Sequence, residues 1–135
     1  MIVVDTSAIM AVLLEEEPSQ SIKACLVDNE LCMSAGTYSE LLIVASARGL
    51  LDEANELIPA IGVEIVTLDG ASARAVQKAF ANWGKGRHPA SLNFGDCFSY
   101  ALAKEKGIPL LFVGNDFSKT DVDVALRLET STDNE

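Results

Sequence analysis

Asp5, Glu40, Asp96 and Asp116 come from four separate stretches of the chain, and each stands where an α/β protein can keep its chemistry. Asp5 ends the β-branched run Ile2-Val3-Val4, and Asp116 follows the apolar run Leu110-Leu111-Phe112-Val113 by way of Gly114-Asn115. In open α/β sheets, ligands bind outside the carboxyl ends of the strands. Asp96 lies in the first turn of a helix opened by Asn93, where the helix dipole favours a carboxylate. Glu40 directly precedes Leu41-Leu42-Ile43-Val44-Ala45, a run apolar on all sides, so its helix is expected to be largely buried. If the four acids converge, their repulsion demands a cation, and hard oxygen ligands select Mg²⁺ or Mn²⁺ over zinc or copper. Such an ion polarises a phosphodiester and screens developing charge, while a carboxylate off the ion can orient or deprotonate water. Each acid also has an ordinary use. Asp5 and Asp96 can cap or decorate a helix N-terminus, and Asn-Asp is common in turns. Glu40 is the least easily explained that way, because a carboxylate beside a buried run needs a partner.

The elements that must carry these residues alternate between strand and helix. Residues 2–5, 31–34, 64–68 and 110–113 are predicted strands, rich in Val, Ile and Leu. Helices are predicted after a Thr6 or Ser7 cap, over about 18–28 from Pro18, from Thr37 to Arg48 before Gly49, and over 51–61. Asp69 caps another to about Trp83, with Ala73, Val76, Ala79, Phe80 and Trp83 on its buried side. The last spans Phe94 to Glu105 and is closed by Gly107 and Pro109. Met10, Met33, Phe80 and Trp83 read as core. This order implies a three-layer α/β/α domain with a central parallel sheet over residues 1–128. Val122 to Leu128 adds an edge strand or a short helix, and 129–135 is a polar C-terminal tail.

Composition sets the surroundings. With 49% hydrophobic residues, 135 residues suffice for one core. No apolar run approaches the roughly 20 residues of a membrane span, and the N-terminus lacks a secretory pattern. Three cysteines without a CxxC pair, and His88 as the one histidine, argue against disulfides and zinc. A cytoplasmic protein with no membrane partner is expected. The net charge of −10 opposes nucleic-acid binding, yet residues 74–106 hold six bases against Asp96 and Glu105, a local +4. Lys85 and Arg87, in the loop Gly84-Lys85-Gly86-Arg87-His88-Pro89, are candidates to meet RNA phosphates. His88 there is expected to be a surface residue or an RNA contact rather than a general base.

Four stretches together resemble a known family: Met1-Ile2-Val3-Val4-Asp5-Thr6-Ser7-Ala8, Ser39-Glu40-Leu41, the run from Leu92 through Asn93-Phe94-Gly95-Asp96 to Ala103, and Leu110 through Gly114-Asn115-Asp116 to Asp121. They are similar to PIN domains, most of all to VapC-like toxins, over residues 1 to about 121. The resemblance implies a Mg²⁺-dependent endoribonuclease, with Mn²⁺ as a substitute, that forms a homodimer and is inhibited by a VapB-like antitoxin. Carried over by position, Asp5, Glu40, Asp96 and Asp116 form the acidic quartet, with Asp5 and Asp96 as direct metal ligands. Thr6 and Ser7 would support the site by hydrogen bonding. Relatives often carry two acids where this chain has Asn115-Asp116, which leaves Asp121 as a replacement or outer partner.

Two other readings are weaker. A phosphotransfer domain would want a second acid close to Asp5, and Asp5-Thr6-Ser7 supplies none. The chain also lacks GxGxxG and the P-loop pattern. A non-catalytic PIN-like interaction module would have no reason to bear four clustered carboxylates.

Overall fold

The computed structural model describes residues 1–128; the expected polar tail, 129–135, lies outside the described residues. Four parallel strands, β1 (Ile2–Val4), β2 (Leu31–Ser34), β3 (Glu64–Val66) and β4 (Leu110–Leu111), form a sheet in the order β3-β2-β1-β4. β1 is therefore central. Its register sets Ile2 beside Leu31 and Val3 beside Leu110.

Six helices cover the sheet: α1 (Thr6–Leu13), α2 (Ser19–Asp28), α3 (Ala35–Ala47), α4 (Leu51–Ala60), α5 (Gly70–Trp83) and α6 (Phe94–Lys106). Strand side chains alternate between two faces, and the core divides accordingly. Ile2, Val4, Leu31, Met33 and Leu111 pack against α1 to α4. Val3, Cys32 and Leu110 pack against α5 and α6. That is the expected three-layer arrangement, and none of its described helices is long and apolar enough to cross a membrane.

The chain builds outward from β1 to β2 and β3, then crosses back to place β4 on the other side of β1. The strand order reverses between β1 and β4, and the crevice beyond the carboxyl ends at such a point is the usual ligand site of an open α/β sheet. Asp5 leaves β1 there, and its backbone N–H donates to the Leu111 carbonyl at 3.0 Å.

Local differences from the sequence-based expectations have simple causes. Asp5, rather than Thr6 or Ser7, is the N-cap of α1. Ser34 caps α3 two residues earlier than expected, accepting from the Gly36 N–H at 3.1 Å. α3 is not largely buried: Ile43 is 70% exposed, and burial is confined to the stripe Thr37, Leu41 and Ala45. α3 packs on the sheet with one face, so hydrophobicity all round did not mean burial all round. Likewise Ala73 is exposed, and Phe80 and Trp83 are half-buried. β3 and β4 stop short of residues 68 and 113, since ladder pairing runs out before the extended backbone does. Residues 122–128 are nearer the edge-strand alternative than the helical one. Val124 bridges Leu110 in parallel, with Leu110 N–H donating to the Asp123 carbonyl and Ala125 N–H to the Leu110 carbonyl.

Candidate active site

Asp5 is almost wholly buried, at 3% exposure, and its carboxylate is held from three directions. Oδ2 accepts from the Ser7 N–H at 3.1 Å and the Ser7 hydroxyl at 2.7 Å. Oδ1 accepts from the Ser99 hydroxyl at 2.5 Å, and Ser99 Oγ lies 3.2 Å from the buried Thr37 Oγ1. The helix cap and the candidate site are one arrangement, because the carboxylate that closes the first turn of α1 also faces α6. Ser7 Oγ in turn accepts from the Val113 N–H at 3.0 Å, which ties α1 to the chain leaving β4.

Glu40 is partly buried on α3. Its Oε1 accepts from the Thr6 hydroxyl at 2.7 Å, so Thr6 supports Glu40 while Ser7 supports Asp5. The second oxygen, Oε2, lies against Gly95, where a side chain would collide with the carboxylate. A glycine at the start of α6 is what lets Glu40 come up beside Asp96. Burial raises the Glu40 carboxyl above its ordinary value; the Thr6 hydroxyl opposes that rise and Asp5 adds to it.

Asp96 closes a capping box with Asn93. Its Oδ2 accepts from the Asn93 N–H at 3.0 Å, and the Asn93 side-chain oxygen accepts from the Asp96 N–H at 2.8 Å. A helix N-terminus alone would favour its ionised form. The opposite happens. Burial, then the charges of Asp5, Asp116 and Glu40, push its carboxyl up to about 6 against the lowering effect of the Asn93 N–H. The other three acids are all felt at this one position, so the four carboxyl groups share one electrostatic neighbourhood.

Asp116 is exposed at the opening of a single 3₁₀ turn, Phe117–Lys119. That turn is fixed by the buried Phe117, whose ring lies 5.2 Å from that of Phe112. Asn115 is exposed, and its backbone carbonyl accepts from the Ser118 hydroxyl at 2.7 Å. Asp121 is engaged elsewhere. It accepts from the Tyr100 hydroxyl at 2.5 Å and pairs with Lys104 at 3.2 Å, and Tyr100 in turn accepts from the Trp83 indole N–H at 2.9 Å. The Tyr100 hydroxyl and then Lys104 hold the Asp121 carboxyl below its ordinary value. This set links α5, α6 and the chain after β4, and Asp121 is not among the charges felt at Asp96.

Lys85 and Arg87 are exposed on a loop whose backbone is pinned to the approach to α6, with Lys85 N–H donating to the Leu92 carbonyl at 2.9 Å. His88 is a correction. It is half-buried, its ring meets Trp83 edge-on with centroids 4.6 Å apart, and its Nδ1 accepts from the Ala90 N–H at 2.9 Å. It fastens the loop and is not a free surface group.

The description "PIN domain" matches residues 2–123. The chain belongs to the PIN-domain family. It is 42% identical over 124 residues to "Ribonuclease VapC" of Mycolicibacterium smegmatis, an alignment covering 89% of this chain and 96% of that relative. Among solved structures it is similar to VapC20 of Mycobacterium tuberculosis, titled a "Sarcin-Ricin loop cleaving toxin". There the TM-score is 0.76 at 18% identity, over 95% of this chain and all of that one. A toxin–antitoxin complex from Klebsiella pneumoniae gives a TM-score of 0.70 at 14% identity, over 95% of this chain and all of the matched one.

Three residues of this PIN domain's site escape a reading of acids alone. Thr37 lies three residues before Glu40, and Ser99 three after Asp96, so helical spacing sets each on the same face as its acid. Gly95 shows itself only once α3 and α6 are seen to touch.

The donor set suits a hard cation. The candidate ligands are carboxylate oxygens, and Asp96 Oδ1 and Glu40 Oε2 accept no hydrogen bond among the described residues. The neighbouring Cys97 is no competitor, since burial and then Asp96 push its thiol up to about 11. Among the described residues no three acidic, cysteine or histidine side chains form a ready-made metal cage. Mg²⁺ does not ask for one, because it keeps several waters and takes one or two carboxylates.

The raised Asp96 carboxyl gives a pH test. Ionising it opposes folding, so the stability it confers is full below its ordinary value of 3.8 and is lost as pH rises through about 6. In metal-free buffer at about pH 7.5, Asp96→Asn is expected to melt above the parent protein, with the gap closing toward about pH 4. Melting at or below the parent at neutral pH contradicts this electrostatic account.

Proposed function

We propose that this PIN domain is a metal-dependent endoribonuclease that hydrolyses RNA phosphodiesters, and that it is the toxin of a VapBC-type pair. The observation that carries the reading is the shared field of Asp5, Glu40, Asp96 and Asp116 at the crevice where the strand order reverses. The resemblance to proteins named VapC ribonucleases supplies the substrate class. Pairing with a small VapB-like antitoxin and with a second copy of the chain belongs to the same reading. The first is supported by the fold neighbour solved as a toxin–antitoxin complex.

Asp5 and Asp96 are the residues that would hold the ion, Mg²⁺ or, as a substitute, Mn²⁺. When bound, the ion would polarise the scissile phosphodiester and offset its charge. Thr6 holds the Glu40 carboxylate, Ser7 and Ser99 hold that of Asp5, and Thr37 backs Ser99, which would keep the ligands oriented for an ion. Glu40 or Asp116 would position the attacking water or take its proton. Lys85 and Arg87, exposed on the loop leading to α6, would meet phosphates along the strand.

Purified protein incubated with total RNA is expected to cut it with Mg²⁺ present and to leave it intact in chelator. Asp5→Asn should abolish cleavage without loss of the fold, which circular dichroism can check. Full cleavage by Asp5→Asn, or equal cleavage in chelator, contradicts the assignment. For the loop, Lys85→Ala/Arg87→Ala should weaken RNA binding and flatten its dependence on log salt by roughly 0.7 per lost phosphate contact. An unchanged slope removes both residues from the interface.

A further inference from the structure

Phe94 is the first residue of α6, yet it is 70% exposed and the mechanism above gives it no task. No other exposed large apolar residue belongs to α6. A helix start tolerates any polar residue, so a bare phenyl ring loses apolar burial for no structural return. The ring is nonetheless held in place. It meets Phe98, one helical turn on, in an edge-to-face contact with centroids 4.8 Å apart and planes at 68°. Phe98 is buried and fills the space beside Gly36 at the start of α3, where a side chain would clash with its ring.

Its neighbours define what could lie on it. Gly95, one peptide along, touches the Glu40 carboxylate, and Asp96 follows. Upstream, Leu92 is hydrogen-bonded to the loop that carries Lys85 and Arg87. Along the chain, Phe94 therefore lies between the residue tied to the loop of the two exposed cations and the acids' own Gly95-Asp96 step, in the segment 74–106 that carries +4 in a chain of −10. A flat apolar surface beside cations matches an unpaired nucleotide, whose base offers a π face and whose phosphates seek positive charge. The contact with Phe98 covers part of Phe94 and leaves 70% of the residue exposed.

We infer that Phe94 is a stacking platform for a single-stranded RNA base next to the scissile phosphate, so that it helps set where the strand is cut. The inference rests on the ribonuclease reading and goes beyond it in assigning a substrate contact outside the acidic quartet. Unpaired bases in loops and single strands are the usual targets of such stacking.

The test measures binding of a short labelled single-stranded RNA in the Asp5→Asn background with Mg²⁺ present, so that the probe is not consumed. Phe94→Ala is expected to weaken binding by about tenfold or more, and Phe94→Trp to stay within about twofold of the parent. Phe94→Leu should behave like the alanine variant, because it restores apolar bulk without a π face. An RNA made abasic at the contacted nucleotide should erase the difference between Phe94 and Phe94→Ala. Losing the Phe98 contact should lower the melting temperature of the alanine and leucine variants by no more than a few degrees, too little to unfold them in the binding assay. Equal RNA binding by Phe94→Ala and its parent overturns the inference while leaving the ribonuclease reading intact. So does full recovery by Phe94→Leu, or loss of self-association in place of RNA affinity, which would mark a protein interface. If the parent itself binds no RNA and the wild type cuts none, the ribonuclease reading fails and this inference with it.

Discussion

Repulsion among carboxyl groups in a partly buried crevice is the constraint around which the rest of this protein is arranged. Four acids brought together at neutral pH oppose folding, and at Asp96 burial first, then the charges of Asp5, Asp116 and Glu40, raise the carboxyl above its ordinary value. The fold tolerates it because each buried charge is locally answered. Asp5 takes three hydrogen bonds, Glu40 takes the Thr6 hydroxyl, and Asp96 shares a capping box with Asn93. Hydrogen bonds to a carboxylate favour its ionised form, so these contacts keep the acids usable as well as oriented. They do not remove the net negative field, which is left for a cation.

The same contacts join the architecture to the site. Ser7 connects the Asp5 carboxylate to the backbone leaving β4, and Ser99 connects it to α6. Glu40 fits against α6 only because residue 95 has no side chain. Sheet order, helix capping and close helix approach thus converge on one place. Separately, the Trp83–Tyr100–Asp121–Lys104 set fastens α5 and α6 to the chain beyond β4 without joining the acidic centre.

Much of this was legible in the residues. Period and punctuation pointed to all four strands and all six α-helices of the described residues, though not to the 3₁₀ turn Phe117–Lys119, and the acids at strand ends and in a first helical turn pointed to the crevice. What escaped depends on partners remote in sequence. Ile43 looks as apolar as Leu41, and only the angle at which α3 meets the sheet decides which is buried. His88 sits in a Gly-rich loop that reads as surface, and the nearness of Trp83 cannot be inferred from spacing. Asp121 aligns as a spare acid, but Tyr100 and Lys104 engage it first. Asp96 shows how one residue can mislead locally, since its helix position alone implies a lowered pKa, and burial, reinforced by its acidic neighbours, reverses the sign.

On the proposed function, the four acids leave a negative field that a divalent ion relieves in the native state. Selective binding to the folded protein must raise its melting temperature in proportion to the logarithm of free ligand once sites are filled. A Mg²⁺ titration followed by thermal melting, run on the parent protein and on Asp5→Asn/Asp96→Asn at constant ionic strength, measures this directly. The expected result is a progressive rise for the parent and none for the double variant. Equal curves for the two, or no rise in the parent at millimolar Mg²⁺, would contradict the account.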